Sequence, residues 1–226
     1  MKRRSKKYNE LKKKIEAKIY SLDEALKLAK ETSKTKFDAS IEAHIRLGID
    51  LSRSDQQVRG TLVLPNPIGK KIKVAAFVTE GKINEVKKAG ADIVGGEDLI
   101  KKIKETEKCD FDVAVAEPAM MRHLARIGKI LGTKGLMPNP KTETVTLDPA
   151  KAVRELKAGK ISFKADPSGI VHQVIGKASF DVKKLKENFI ALLEAIKKAR
   201  PSKIRGEYIK SITLCSTMGP GIKVKS

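Results

Sequence analysis

Residues 40–49 read Ser-Ile-Glu-Ala-His-Ile-Arg-Leu-Gly-Ile and alternate without a break. Ile41, Ala43, Ile45, Leu47 and Ile49 fall on one side; Ser40, Glu42, His44, Arg46 and Gly48 fall on the other. A period of two marks a strand with one buried face. The same rhythm returns at 208–217, where Ser211, Thr213, Cys215 and Thr217 share one face and Ile212 and Leu214 the opposite one. Laid beside Ser40, Glu42 and His44, those hydroxyls would form a flat polar sheet face.

Working outward, residues 57–64 look like the pairing partner of 40–49 and end at the Pro65-Asn66-Pro67 break. Upstream, residues 2–18 hold nine basic and two acidic side chains. They read as a basic arm becoming a helix, with Tyr8, Leu11 and Ile15 at helical spacing. Ser21-x-x-Glu24 is a capping box that opens a helix through Leu22, Ala25, Leu26 and Ala29, ending near Thr32. Downstream of Pro67 the rhythm changes. Short apolar strands at 72–78, 92–94, 113–116 and 145–147 alternate with helical patterns at 82–89, 97–107, 118–131 and 149–158, which implies parallel βαβ units. After Gly159 the first pattern resumes: strands at 161–163 and 170–175 flank the turn Asp166-Pro167-Ser168-Gly169, and 181–199 form a helix with Leu185, Phe189, Leu192, Leu193 and Ile196 on one stripe.

The expected fold is therefore a discontinuous α+β domain with an antiparallel sheet, built from 1–67 plus 160–226. An α/β, Rossmann-like, doubly wound domain of residues 68–159 is inserted into it. Two chain crossings near 67 and 159 would form a double hinge. Such insertions are tolerated where the ends of a loop lie close together.

The chain has 226 residues and a formal net charge of +21. Residues 1–67 carry +7 and 160–226 carry +9, against +5 for the middle segment. A charge of this size speaks about partners, and a polyanion such as nucleic acid is favoured. No apolar run approaches the ~20 residues of a membrane span, so no membrane partner is expected. Cys109 and Cys215 are too few for a disulfide framework, read as ordinary thiols, and fit a reducing cytoplasm. His44, His123 and His172 are far apart in sequence and outside any metal-ligand spacing, so no metal is expected. No nucleophile elbow is present. The glycines at 169–177 do not make a phosphate loop, and Gly219-x-Gly221 lacks the third glycine of a dinucleotide fingerprint. The chain reads as a non-enzyme without a cofactor.

Two stretches point to RNA. In 126–141, Gly132-Thr-Lys134-Gly135 lies among Lys129, Asn139 and Lys141, and suits either a phosphate-approaching G-x-x-G loop or a helix C-cap at Gly132 followed by a proline-fixed loop. In 208–217, the hydroxyl strip suits phosphate, ribose 2′-hydroxyls and base edges, with Lys36-Phe37 supplying a cation and a stacking ring at its border. Only nine aromatics argue against multi-base stacking and favour a folded RNA read by shape and backbone.

Five blocks carry a family resemblance: Gly48-Ile-Asp50 with Arg53-Ser-Asp-Gln-x-Val-Arg-Gly60 and Leu64-Pro65; Ala89-Gly-Ala-Asp-x-Val-Gly-Gly-Glu97; 128–141; Gly176-Lys-Ala-Ser-Phe180; and Thr217-Met-Gly-Pro220. Together they resemble the large-subunit ribosomal protein one family, in its bacterial form, over almost the whole chain. Thr133 departs from the family loop, which has proline there. The resemblance implies a constituent of the large ribosomal subunit, bound to ribosomal RNA at the mobile stalk in the cytoplasm. It implies assistance to exit-site tRNA movement and release, and translational repression through the chain's own messenger RNA. It also implies a monomer when free. The RNA contacts it implies are Phe37, Ser40, Glu42, Ser211 and the Thr217-Met218-Gly219 corner, with Lys36, Asp166 and His172 nearby and Thr213 in the same strip. Lys129, Lys134, Asn139 and Lys141 would be auxiliary contacts. Gly219 would let the backbone come close to ribose, where a Cβ would push RNA away.

Overall fold

The structure is a computed structural model that describes residues 5–16, 18–50, 56–69, 72–202, 204 and 206–225. Residues 2–4 and 17 of the basic arm, and Arg53-Ser-Asp55 of the first family block, lie outside the described residues. In chain order the elements are α1 (Lys6–Lys13), α2 (Leu22–Glu31), β1 (Ser40–Leu47), β2 (Arg59–Val63), β3 (Val74–Phe77), α3 (Ile83–Lys88), β4 (Ile93–Gly95), α4 (Glu97–Thr106), β5 (Val113–Ala116), α5 (Met121–Leu124), α6 (Gly128–Thr133), α7 (Pro149–Lys157), β6 (Lys160–Lys164), β7 (Ile170–Lys177), α8 (Val182–Lys198), β8 (Ile209–Ser216) and β9 (Ile222–Val224). They gather into two compact units, one of Met1–Ile68 with Ser162–Ser226 and one of Gly69–Ile161.

The unit made from both chain ends holds a four-stranded sheet of order β7-β1-β8-β9. β1 is antiparallel to both neighbours, and β8 is antiparallel to β9. Ile41, Ala43, Ile45 and Leu47 are all buried, as their alternation requires. They meet Leu26 of α2 and Leu185, Phe189, Leu192 and Ile196 of α8 in one core. The capping box forms: Ser21 N–H donates to Glu24 Oε2 (3.2 Å) and Glu24 N–H to Ser21 Oγ (3.5 Å). Residues 57–64 do not pair with β1. The strand there, β2, pairs with β6 in a separate two-stranded sheet. Length explains the exchange, because β1, β7 and β8 each run eight residues whereas β2 and β6 run five. β7 and β8 each register with β1 at seven positions, more than either five-residue strand could cover.

The second unit is a parallel sheet of order β4-β3-β5. All of β3 is buried, as a central parallel strand covered on both faces must be. Ala75 and Phe77 face a core with Ile100 and Ile103 of α4, Leu124 of α5 and Leu131 of α6. Val74 and Ala76 face the other way, toward Val86 of α3 and Val153 of α7. Two sequence expectations change. Residues 145–147 give only an isolated bridge, Ala116 to Val145, because the chain meets β5 at a single point. The helix expected over 118–131 is broken into 3₁₀ turns at Pro118–Met120 and Ala125–Ile127 and two short helices. Its apolar spacing survives the breaks: Met120, Leu124, Ile127 and Leu131 are all buried.

Candidate nucleic-acid interface

The side of the four-stranded sheet turned away from the core is set by register. Glu42 lies opposite Cys215 and Val174, His44 opposite Thr213 and His172, and Arg46 opposite Ser211 and Ile170. Lys223 of β9 continues the row beyond Thr213. Ser40 pairs with Lys177, whose Nζ donates to Ser40 Oγ (3.0 Å). These polar side chains are half-buried or exposed, while Ile212, Leu214 and Ser216 between them are buried. The strip Ser211-Thr213-Cys215-Thr217 therefore lies beside Ser40, Glu42 and His44 in one surface.

The polar groups also bind one another. His44 Nδ1 lies 2.7 Å from His172 Nδ1, and His44 Nε2 lies 3.0 Å from Cys215 Sγ. His172 Nε2 lies 3.3 Å from Asp166 Oδ2. Burial, and then the neighbouring His172, push the His44 pKa down; burial, and then the Glu42 charge, push the Cys215 thiol up. Asp166 is held below the usual carboxylate range first by the Ile170 amide, which donates to its Oδ1 (2.7 Å). The same carboxylate accepts from Ser168 N–H (2.9 Å), so it builds the turn that carries β7 past His172.

At one corner the chain turns tightly through Ser216-Thr217-Met218-Gly219, closed by Gly219 N–H donating to Ser216 O (2.8 Å). Met218 takes φ +67°, a left-handed conformation that is rare for a non-glycine residue. Its side chain is 78% exposed. A Cβ on Gly219 would sit 2.3 Å from the buried Ser216 Oγ and 3.2 Å from Ser216 O, so a larger residue would force the Ser216 hydroxyl to turn away inside the turn itself. Thr217 is also partly committed: its Oγ1 accepts from Ser40 N–H (3.1 Å) and donates to Ser40 O (3.2 Å), tying the end of β8 to β1. Its remaining lone pair can only accept. Phe37, 58% exposed, and Lys36 line a hollow of about 670 Å³ with Tyr8, Leu11, Thr217 and Met218. A ring, a thioether and a cation thus border the polar face.

In the other unit the 126–141 stretch behaves differently. α6 continues past Gly132 to Thr133 and ends with Gly135 at φ +69°. Gly135 N–H donates to Gly132 O (3.1 Å) and Leu136 N–H to Leu131 O (2.8 Å), the paired bonds of a Schellman cap. The cap therefore falls three residues later than expected, and these two amides are consumed in closing the helix. A helix C-terminus also carries negative partial charge, which is unfavourable for phosphate. Lys134 Nζ donates to Glu107 O (2.9 Å), and Asn139 Oδ1 accepts from Lys141 N–H (2.9 Å). Lys129 and Lys141 keep exposed side chains.

A family model for the ribosomal protein L1p/L10e family matches residues 29–220, a span containing every element except α1, most of α2 and β9. The chain belongs to that family. Similar to this L1p/L10e-family chain is the large ribosomal subunit protein uL1 of Mesoplasma florum, 56% identical over 208 residues, covering 92% of this chain and 91% of the relative. The same-named protein of Macrococcus caseolyticus is 52% identical over 225 residues, covering 99% and 97%. That of Solibacter usitatus is 48% identical over 219 residues, covering 97% and 92%. The L1p/L10e family is one of ribosomal proteins and not of enzymes. The alternation places Arg46 and Cys215 on the polar sides of their strands, though neither stands among the RNA contacts expected from sequence, and it does not bring Lys177 or Lys223 to the face. Those two lysines needed the register across strands. No helix among the described residues is long and apolar enough to cross a membrane.

Proposed function

We propose that this chain is a structural constituent of the large ribosomal subunit, bound to ribosomal RNA through the polar face of its four-stranded sheet. The observation that carries the reading is the meeting of that face with the exposed Phe37 and Met218 at one corner. Arg46, Lys177 and Lys223 supply backbone attraction that is indifferent to sequence. Ser211, Thr213, Ser40 and Glu42 supply fixed partners for 2′-hydroxyls, and Phe37 a surface on which one base can stack. Lys36, Asp166 and His172 complete the border, with Met218 and Gly219 at the corner.

The discontinuous unit is the RNA-binding domain and the inserted α/β unit an auxiliary one, joined to it by two crossings. Among the expected auxiliary contacts Lys129 and Lys141 are the available cations, whereas Lys134 and Asn139 act mainly in holding the loop. The relatives' name supports ribosomal placement in the cytoplasm. Assistance to exit-site tRNA and repression of the chain's own messenger are further roles of the same reading, because a messenger that mimics the ribosomal fold would meet the same face.

The test is binding of a fluorescently labelled large-subunit ribosomal RNA fragment. Phe37→Ala and Ser211→Ala, both at exposed positions, are expected to weaken it at least about fivefold, the ~1 kcal/mol of a lost hydrogen bond or stacking contact. Wild-type affinity in both variants would remove this face from the interface.

A further inference from the structure

Glu42 and His44, two apart on β1, and Cys215 on β8 bring a carboxylate oxygen, an imidazole nitrogen and a thiol sulfur within 4.8 Å of one another, all three residues half-buried. In a tetrahedral zinc site such donors lie about 3.3–3.6 Å apart, as bond lengths of about 2.0–2.3 Å require. One pair, His44 Nε2 and Cys215 Sγ, is already at 3.0 Å. Glu42 lies opposite Cys215 in the strand register, which brings its carboxylate to the same cluster as the third donor.

With both imidazoles neutral, a hydrogen-bonded chain sets which nitrogen of His44 is available. The Asp166 carboxylate can only accept, so His172 directs its Nε2–H to it across 3.3 Å and offers its Nδ1 lone pair to His44. His44 then donates Nδ1–H across 2.7 Å. This leaves the Nε2 lone pair of His44 aimed at Cys215, with the outer partners arranged as those behind metal-bound histidines are.

We propose that Glu42, His44 and Cys215 form a binding site for a zinc-class divalent cation, with His172 and Asp166 as positioning residues behind His44. The Cys215 S–H proton leaves to solvent as the metal–sulfur bond forms. Thiolate and carboxylate then offset the two positive charges of the ion. Three protein donors leave a fourth position for water. The site does not depend on the RNA reading and is testable without RNA.

The experiment is titration of the full, reduced chain with Co²⁺, followed by displacement with Zn²⁺. Expected are a sulfur-to-cobalt charge-transfer band and tetrahedral d–d bands at one equivalent, both lost on adding one equivalent of Zn²⁺. Cys215→Ser and His44→Ala should abolish the charge-transfer band or shift it to much higher cobalt, while Cys109→Ser keeps it unchanged. His172→Ala should keep the band but weaken cobalt affinity roughly 10–100-fold. Zn²⁺ should also protect Cys215, and not Cys109, from alkylation in the wild-type chain, a readout that needs no variant to fold. Absence of the charge-transfer band in the wild-type chain, its persistence in Cys215→Ser, or equal alkylation of Cys215 with and without Zn²⁺ would overturn the site.

Discussion

Met218 is held in a backbone conformation that costs a non-glycine residue about 1–2 kcal/mol, and its side chain gains no burial in return. Strain of this kind persists where the exposed group is useful. Met218→Gly should therefore leave the unfolding free energy unchanged or higher in denaturant titration, since relief of strain offsets glycine's extra chain entropy. It should lower affinity for ribosomal RNA at the same time. A loss of stability would mean that Met218 acts in folding. Asn188 is the opposite case. It is fully buried on α8, donates to Asn66 O and Ile175 O (both 2.8 Å), and accepts from Asn66 N–H (2.9 Å). Asn188→Ala strands three backbone groups and should cost about 2 kcal/mol or more, read as a fall in the urea midpoint. Nothing in the sequence announced this residue, because its partners are set by the path of the chain through Pro65-Asn66-Pro67.

At the scale of elements, Glu117 follows β5 and accepts from Thr79 N–H (3.2 Å), Thr79 Oγ1 (2.9 Å) and Lys82 Nζ (3.0 Å), the last also an ion pair. Its pKa lies below the ordinary 4.5, chiefly through the Lys82 hydrogen bond, against the opposing effect of burial. A carboxyl lowered in the folded state stabilises fully above its unfolded pKa, and that contribution is lost as pH falls through the folded value. Thermal melts should therefore show stability falling as pH drops below about 4.5, with a shallower fall in Glu117→Gln. An equal slope in the variant would assign the acid sensitivity elsewhere. Elements with strong periodicity were legible in sequence: the alternation of β1 and β8, the capped α2 and the stripe of α8 all stand near their expected bounds. Pairing was not. Residues 57–64 read as a strand, but its partner, β6, is brought to it only by the folded path of the chain. In 118–135, likewise, apolar spacing located the buried side chains, while the 3₁₀ turns at Pro118–Met120 and Ala125–Ile127 broke the helix and the cap fell at Gly135.

Across the whole molecule, the polar face joins residues more than 170 positions apart, such as His44 with Cys215 and Ser40 with Thr217. Sequence supplied the hydroxyl strip and the neighbouring cation and ring; it did not supply the Asp166–His172–His44–Cys215 chain of contacts, which exists only once three strands are in register. In the proposed RNA reading this pre-shaped face recognises one folded RNA architecture, with net charge supplying the attraction and geometry the choice. Charge alone would bind equal-length polyanions alike and lose them alike as salt rises. The most direct measurement is competition, at moderate salt, between a labelled large-subunit ribosomal RNA fragment and unlabelled RNAs of the same length. The account predicts that the unlabelled fragment competes at least about tenfold better than unrelated transcripts or a charge-matched duplex, a difference of ~1.4 kcal/mol. Equal competition by all three would contradict it.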